Sequence, residues 1–321
     1  MKNPGLVSSS PPHLKSEMKI PTAMRDVFIA LIPVSLVSIY FFGVNALYMI
    51  LACLLTAVVT EAIFRLLLSK PITLHDFSAL LTGLFVALLF SPTTAWWTGV
   101  IATFIAVGIA KELMGGLGWN RFNPALFGYI VIFLAAPWVT FLNQPNAVNV
   151  DGVTQATPLA MLHSGVEMPS ILQLFAGYPG GALAEVSPLA LLVGAAFLFY
   201  RKHISWHIPV AVLATVFVLT LLLGENPVIH LITGGIILGA FFMATDWVTS
   251  PITDKGKLIF GVVIGVLVVV FRMVLPPTEG VAFSILIMNA FVPLIDRATR
   301  RPSFSDPKPA SASEKSAVAR S

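Results

Sequence analysis

The chain has 321 residues, of which 57% are hydrophobic and 11% charged, with a formal net charge of +4. Soluble domains carry about 25% charged residues, so this chain cannot cover itself with a solvated surface and reads as one all-α membrane domain. Its basic residues lie in short loops and tails and form no basic domain face, which excludes a nucleic-acid footprint. Its single cysteine, Cys53, makes no intramolecular disulfide and cannot alone hold an iron–sulfur cluster or a structural zinc.

Residues 1–26 are polar and show neither the apolar stretch nor the small-residue cleavage site of a signal peptide. They read as a cytoplasmic N-terminal segment, with the first span acting as its own insertion signal. A polytopic membrane domain is expected over residues 27–297. Ten apolar segments are predicted in it: Val27–Phe42, Leu47–Leu68, Phe77–Phe90, Trp97–Ile109, Pro124–Val139, Pro188–Tyr200, Ile208–Leu223, Val228–Ala244, Leu258–Phe271 and Val281–Ile295. Several fall short of the roughly 20 residues of a straight crossing, so tilted, broken or sheltered helices are expected. Residues 298–321 read as a disordered cytoplasmic tail.

Charge sets the orientation. With ten crossings and a cytoplasmic N-terminus, every Lys and Arg except Arg272 falls on the cytoplasmic side, as the positive-inside rule demands. The loop from Thr140 to Ser187 then lies outside. It holds Asp151, Glu167 and Glu185 but no Lys or Arg, and its length among short connections is a functional hint. Five spans precede it and five follow. An odd number per half makes the halves enter the membrane in opposite senses, the plan of an inverted repeat.

Within the loop, Thr157-Pro158 followed by Leu159-Ala160-Met161-Leu162 reads as a helix start, with Thr as cap and Pro at the first helical position. Free backbone N–H groups and the helix dipole favour a phosphate there; the spacing alone is equally satisfied by a plain cap. Intramembrane charge is costly and needs a reason. Glu61 and Arg65 stand i,i+4, either as a pair snorkelling to the surface or as part of an ion path. Asp246 ends the eighth segment, as a helix stop or as a carboxylate facing an ion or cofactor. Arg272 is paired locally with Glu279 or turned toward a cofactor. Gly115, Gly116 and Gly118 precede Asn120 and Asn123, which suits a loop running into an Asn-Pro helix start. Gly235/Gly239 and Gly261/Gly265 have the spacing of close helix packing, internal or against a partner. The six histidines are far apart and read as interfacial or satisfied polar residues, and with no paired cysteines a redox role would need an organic cofactor.

Several stretches together resemble one family. They are Ser78-Ala79-Leu80-Leu81-Thr82-Gly83, Gly115-Gly116-Leu117-Gly118 with Asn123-Pro124-Ala125, Asp151-Gly152-Val153-Thr154-Gln155-Ala156-Thr157-Pro158, Trp206-His207-Ile208-Pro209, Leu238-Gly239-Ala240-Phe241-Phe242 with Thr245-Asp246, and Gly280-Val281-Ala282-Phe283. In this order they resemble the membrane proteins comprising the D subunit of the Rnf electron-transport complex and the B subunit of the sodium-translocating NADH:quinone reductase. The Thr-Gln-Ala-Thr sequence and the short N-terminal segment are closer to the Rnf branch.

The resemblance implies a covalent flavin mononucleotide (FMN) joined through a phosphoester to Thr157, with Asp151, Ala156 and Pro158 completing the attachment motif. The flavin would be added by a flavin transferase outside the cytoplasm. It also implies a second, non-covalent flavin (riboflavin), for which Asn120 and Asn123 are candidates. As the one basic residue expected near the outer face, Arg272 is a candidate to approach the covalent flavin or its phosphate. Implied partners are iron–sulfur subunits, a second flavin-bearing subunit and membrane lipid. The implied setting is a bacterial inner-membrane complex that couples ferredoxin- or NADH-linked electron flow to Na+ or H+ movement. A secondary transporter or a non-redox scaffold subunit is the rival reading, since ten spans in two opposed halves suit either.

Overall fold

The structure, a computed structural model, describes residues 19–71, 73–135, 158–164, 168–274 and 280–300. Among these residues the chain is helical, with no strand. Helix α1 (Ile20–Phe42) starts at Ile20 rather than at the expected Val27. Pro21 suits its first turn, where a missing N–H costs nothing. Gly43 alone separates it from α2 (Val44–Leu67). A short 3-10 turn (Leu74–Asp76) leads into α3 (Ser78–Leu89). Then come α4 (Trp96–Leu113) and α5 (Pro124–Ala135). Helix α4 is α-helical to Phe104 and π-helical from Ile105 to Leu113.

Two short helices, α6 (Pro158–Ser164) and α7 (Ile171–Ala176), lie within the stretch expected to be the long loop. They are followed by α8 (Pro188–Tyr200) and α9 (His207–Leu222). The expected eighth segment is not one helix. It divides into α10 (Pro227–Ile232) and α11 (Ile236–Leu238, continued by π-helix Gly239–Met243). The break needs Gly234 and Gly235, whose φ values of +67° and +68° are readily adopted only by glycine. Helices α12 (Asp254–Val274) and α13 (Gly280–Thr299) close the fold.

Helices α1, α2, α4, α12 and α13 are long and apolar enough to cross a membrane; α3, α5, α8 and α9 are apolar but shorter. A single large core runs through them, built from residues such as Leu31, Val34, Leu88, Leu126, Leu198 and Phe260. The outer faces are also apolar: Leu51, Leu55 and Leu66 of α2 point outward and are exposed. Apolar surface on both sides of a helix is the pattern of a chain solvated by lipid.

Small residues set the closest crossings. Gly261 and Gly265 of α12 lie against the backbone of Ile208 and Val212 on α9, so this glycine pair packs within the chain. Gly239 meets Val281 of α13. At Gly194 of α8, an added Cβ would run into the backbone carbonyl oxygen of Ala30 on α1, and a carbonyl held in a helix cannot step aside. Gly194→Ala is therefore expected to destabilise the fold by about 1–3 kcal/mol, the usual range for overpacking. An unchanged thermal unfolding midpoint in detergent would remove this crossing from the tight contacts.

The runs α1–α5 and α8–α13 pack alike when α10 and α11 are counted as one broken helix. In each, the second helix lies against the fourth (α2 on α4, α9 on α12) and the fourth against the fifth (α4 on α5, α12 on α13). Helix α11, after the break, also begins as α3 does. Phe77 precedes α3 at φ 63°, ψ −1°, and Gly235 precedes α11 at φ 68°, ψ 6°.

Candidate functional site

A cavity opens between α1, α3, the start of α5 and the end of α11. Its empty volume, counted with the open solvent at its mouth, is about 810 Å³. Its walls are largely apolar, with Val27, Phe85, Leu198, Phe242 and Trp247 among them. Its polar groups are Ser78, Thr82, Lys111, Asn120, Asn123, His203, Thr245 and Asp246. Such a set suits a flat, mostly apolar ring system carrying a few hydrogen-bonding edge atoms.

Both predicted asparagines reach this cavity. Asn123 is buried, and its Oδ1 caps α5 by accepting from the N–H groups of Ala125 (3.1 Å) and Leu126 (3.4 Å). Its own N–H donates to Asn289 Oδ1 (3.0 Å), and Asn289 donates onward to the carbonyl of Thr249 (3.0 Å). Asn120 donates to the carbonyl of Phe122 (3.1 Å). Asp246 is partly open to the cavity. Its carboxylate accepts hydrogen bonds from Thr249 Oγ1 (2.9 Å) and from the N–H groups of Val248 and Trp247.

Beside the cavity lies a buried charge network. Lys111 Nζ stands 3.1 Å from Glu61 Oε1 and 3.8 Å from Glu112 Oε1, and donates to Ser78 Oγ at 2.7 Å. Arg65 Nε stands 3.2 Å from Glu112 Oε2 and 3.5 Å from Glu61 Oε1. Glu61 and Glu112 are both fully buried and Arg65 nearly so. The i,i+4 pair therefore does not snorkel: it is enclosed and tied to α4. The interior position of Lys111 and Glu112 departs from the sequence expectation, which ends the fourth segment at Ile109. The wider π-helical turn brings two consecutive residues, 111 and 112, onto the same buried face. Glu61 and Glu112 balance Arg65 and Lys111, the condition under which buried charge is tolerated, and Ser78 links Lys111 onward to buried Asp76.

At the α10–α11 break, Arg272 of α12 is buried and donates to backbone carbonyls. Its Nη1 reaches the carbonyl of His230 (2.8 Å), and its Nη2 those of Thr233 (2.9 Å) and Gly234 (3.4 Å). A planar fork thus closes the carbonyl end of α10. Glu279 lies outside the described residues. Asp151, Ala156 and Thr157 also lie outside them. The residues that follow Thr157 do not: Pro158 and Leu159 open α6 and are buried. A Cβ on Gly234 would lie 3.4 Å from Leu159 Cδ2 and 2.9 Å from Arg272 Nη2. Arg272 and Leu159 of α6 therefore meet on either side of Gly234 at the helix break. Arg272→Lys keeps the charge but cannot span these carbonyls. It is expected to lose about 1.5–3 kcal/mol, the worth of one charged hydrogen bond, seen as a lower unfolding midpoint; an unchanged midpoint would show the fork to be dispensable.

Cys53 is buried in the core with its Sγ 4.0 Å from Met49 Sδ, the place of a small apolar residue. Among the described residues no group of His, Cys, Asp and Glu is arranged to hold a metal ion.

Residues 7–305 match the NQR2, RnfD, RnfE family. The D subunit of the Na(+)-translocating ferredoxin:NAD(+) oxidoreductase complex of Acetobacterium woodii is 41% identical over 305 residues, covering 94% of this chain and 95% of that relative. The D subunit of the proton-translocating ferredoxin:NAD(+) oxidoreductase complex of Clostridium ljungdahlii is 39% identical, covering 94% and 97%. The D subunit of the ion-translocating oxidoreductase complex of Aliivibrio salmonicida is 36% identical, covering 94% and 98%. With its helical membrane fold and matches of this length, the chain belongs to the NQR2, RnfD, RnfE family.

Proposed function

We propose that this chain is the D subunit of an Rnf-type ion-translocating oxidoreductase complex in a bacterial inner membrane. It carries electrons through FMN bound covalently at Thr157. Asp151, Ala156 and Pro158 complete the attachment motif, and a flavin transferase outside the cytoplasm adds the group. The observation that carries the reading is that Pro158 and Leu159, directly after Thr157, are buried, with Leu159 against the Gly234 break. A flavin joined at Thr157 would be one residue from this buried helix start. The lengthwise match to the three relatives supports the same reading.

The cavity lined by Asn120 and Asn123 is the proposed seat of a second, non-covalent flavin. When bound, such a ring supplies reversible electron storage. The protein's own part is to exclude water with its apolar walls and to offer polar groups at the ring edge. In this reading the chain crosses the membrane ten times in two inverted halves, with both termini cytoplasmic and the Thr140–Ser187 loop outside. The matched packing of the two helix runs supports that plan, as does the charge distribution. Iron–sulfur subunits and a second flavin-bearing subunit are the proposed partners. The relatives named for Na+ and for protons are similarly close, so similarity alone does not choose the ion.

Fluorescence of the denatured chain, purified from cells with an active flavin transferase, tests the reading. A flavin signal that stays with the polypeptide is expected. A colourless chain would favour the transporter or scaffold alternative.

A further inference from the structure

We propose that Asp246 is the specificity group of the cavity: its carboxylate accepts the imide N–H of a bound flavin ring, and Asn289 of α13 holds it in register with Asn123. The proposal rests on the reading of that cavity as the seat of a non-covalent flavin. Asp246 lines the cavity and keeps part of its surface open. Thr249 Oγ1 donates to its Oδ2 at 2.9 Å, and the N–H groups of Val248 and Trp247 donate to the same carboxylate. A carboxylate has about four lone-pair sites, so these three bonds leave one for a ligand.

A turn alone does not need this charge. Asn or Ser closes the same kind of turn through one side-chain oxygen, and a carboxylate in a largely apolar wall is costly unless donors or a counter-ion compensate it. The nearby cations are engaged elsewhere. Lys111 pairs with Glu61 and Glu112, while Arg201 and His203 each stand 2.8 Å from Asp26 Oδ2. Among the described residues no salt bridge reaches Asp246. The threonine hydroxyls of the wall donate to the protein itself, Thr82 to the carbonyl of Ser78 and Thr245 to that of Phe241. A donor carried by the ligand is therefore what completes the carboxylate.

The position of Asp246 is set from outside its own turn. Asn289 is 2% exposed. Its Oδ1 accepts from the N–H of Asn123 and its Nδ2 donates to the carbonyl of Thr249, each at 3.0 Å. Thr249 is the residue whose hydroxyl holds Asp246. One buried amide thus joins two walls of the cavity that are far apart in the chain. Asn123 uses its Oδ1 to cap α5, so what it has left for a ligand is its amide hydrogens. The cavity then offers a charged acceptor and a neutral donor, both tied to Asn289. The pyrimidine edge of an oxidised flavin is the complement, an N–H flanked by two carbonyls. A hydrogen bond to a charged acceptor is roughly twice as strong as a neutral one, so the carboxylate decides which edge of the ring faces this wall.

The test uses the purified complex, stripped of extractable flavin and then titrated with riboflavin or with 3-methylriboflavin, which has a methyl group in place of the imide hydrogen. Binding is followed by quenching of flavin fluorescence. The wild type is expected to bind riboflavin about ten- to a hundredfold more tightly, the effect of one hydrogen bond to a charged group. Asp246→Asn has the same bulk and still forms the turn, so it separates charge from space. Its preference is expected to shrink to a few-fold, through weaker binding of riboflavin. A wild type without preference, or a full preference kept in Asp246→Asn, would overturn the assignment and leave the flavin site standing. Should that variant not assemble, Asp246→Ser is read in the same way. Asn289→Ala leaves Asp246 itself intact. A preference reduced there too supports the positioning role, since a general loosening weakens both flavins alike, and an unchanged preference overturns it. If the wild-type complex takes up neither flavin, the cavity reading falls and the role of Asp246 with it.

Discussion

Thr157→Ala is expected to give a membrane-inserted chain that carries no covalent flavin, in a complex that has lost electron transfer. The choice of Thr157 over Thr154 has a physical basis. Thr157 directly precedes Pro158, and Pro158 and Leu159 are built into the protein, with Leu159 buried against the break between α10 and α11. Thr157 is one residue from that buried helix start, whereas Thr154 stands three positions further along the chain. Thr154→Ala should keep the flavin, and Thr157→Ser, which retains a hydroxyl, should keep part of it. Mass spectrometry of the loop peptide decides. An adduct on Thr154, or one that survives in Thr157→Ala, would refute the assignment.

Lys111→Ala is expected to be the most damaging substitution inside the bundle. It removes one of two cations from a network whose acids, Glu61 and Glu112, are fully buried. Breaking a buried pair by deleting one partner costs about 3–5 kcal/mol, because the remaining charge is left uncompensated. Low yield and a markedly lower unfolding midpoint are the expected readings. The double variant Lys111→Met with Glu61→Gln should recover much of the loss, since it removes one charge of each sign and leaves Arg65 facing Glu112. If the double variant is no better than Lys111→Ala, charge balance is not what the network supplies.

What can be read in advance depends on how local the determining physics is. Hydropathy is summed along a single segment, so the helical membrane class and most helix positions follow from composition and apolar runs. The attachment motif is also local: eight consecutive residues point to Thr157, which lies outside the described residues, while the burial of Pro158 and Leu159 is what the structure adds. Asn120 and Asn123 stand out in the sequence beside their glycines, and both line the cavity.

Contacts between distant segments are not legible in this way. The π-helical stretch of α4 turns Lys111 and Glu112 inward, although in the linear sequence they look like loop charges at a membrane surface. The break at Thr233–Gly235 lies inside an unbroken apolar run, and only the glycine pair hints at it. Asp26 and His203 are 177 residues apart; in the sequence one belongs to a polar tail and the other to a set of scattered interfacial histidines. By itself the sequence determined the solvent in which this protein folds, the family to which it belongs and the residue proposed to carry the flavin, because hydropathy and motif are properties of neighbours along the chain. Only the tertiary structure decided which charges are buried together and which groups meet at the cavity, because an ionisable side chain is admitted to the interior only where a distant segment brings its counter-charge or its hydrogen-bond partner.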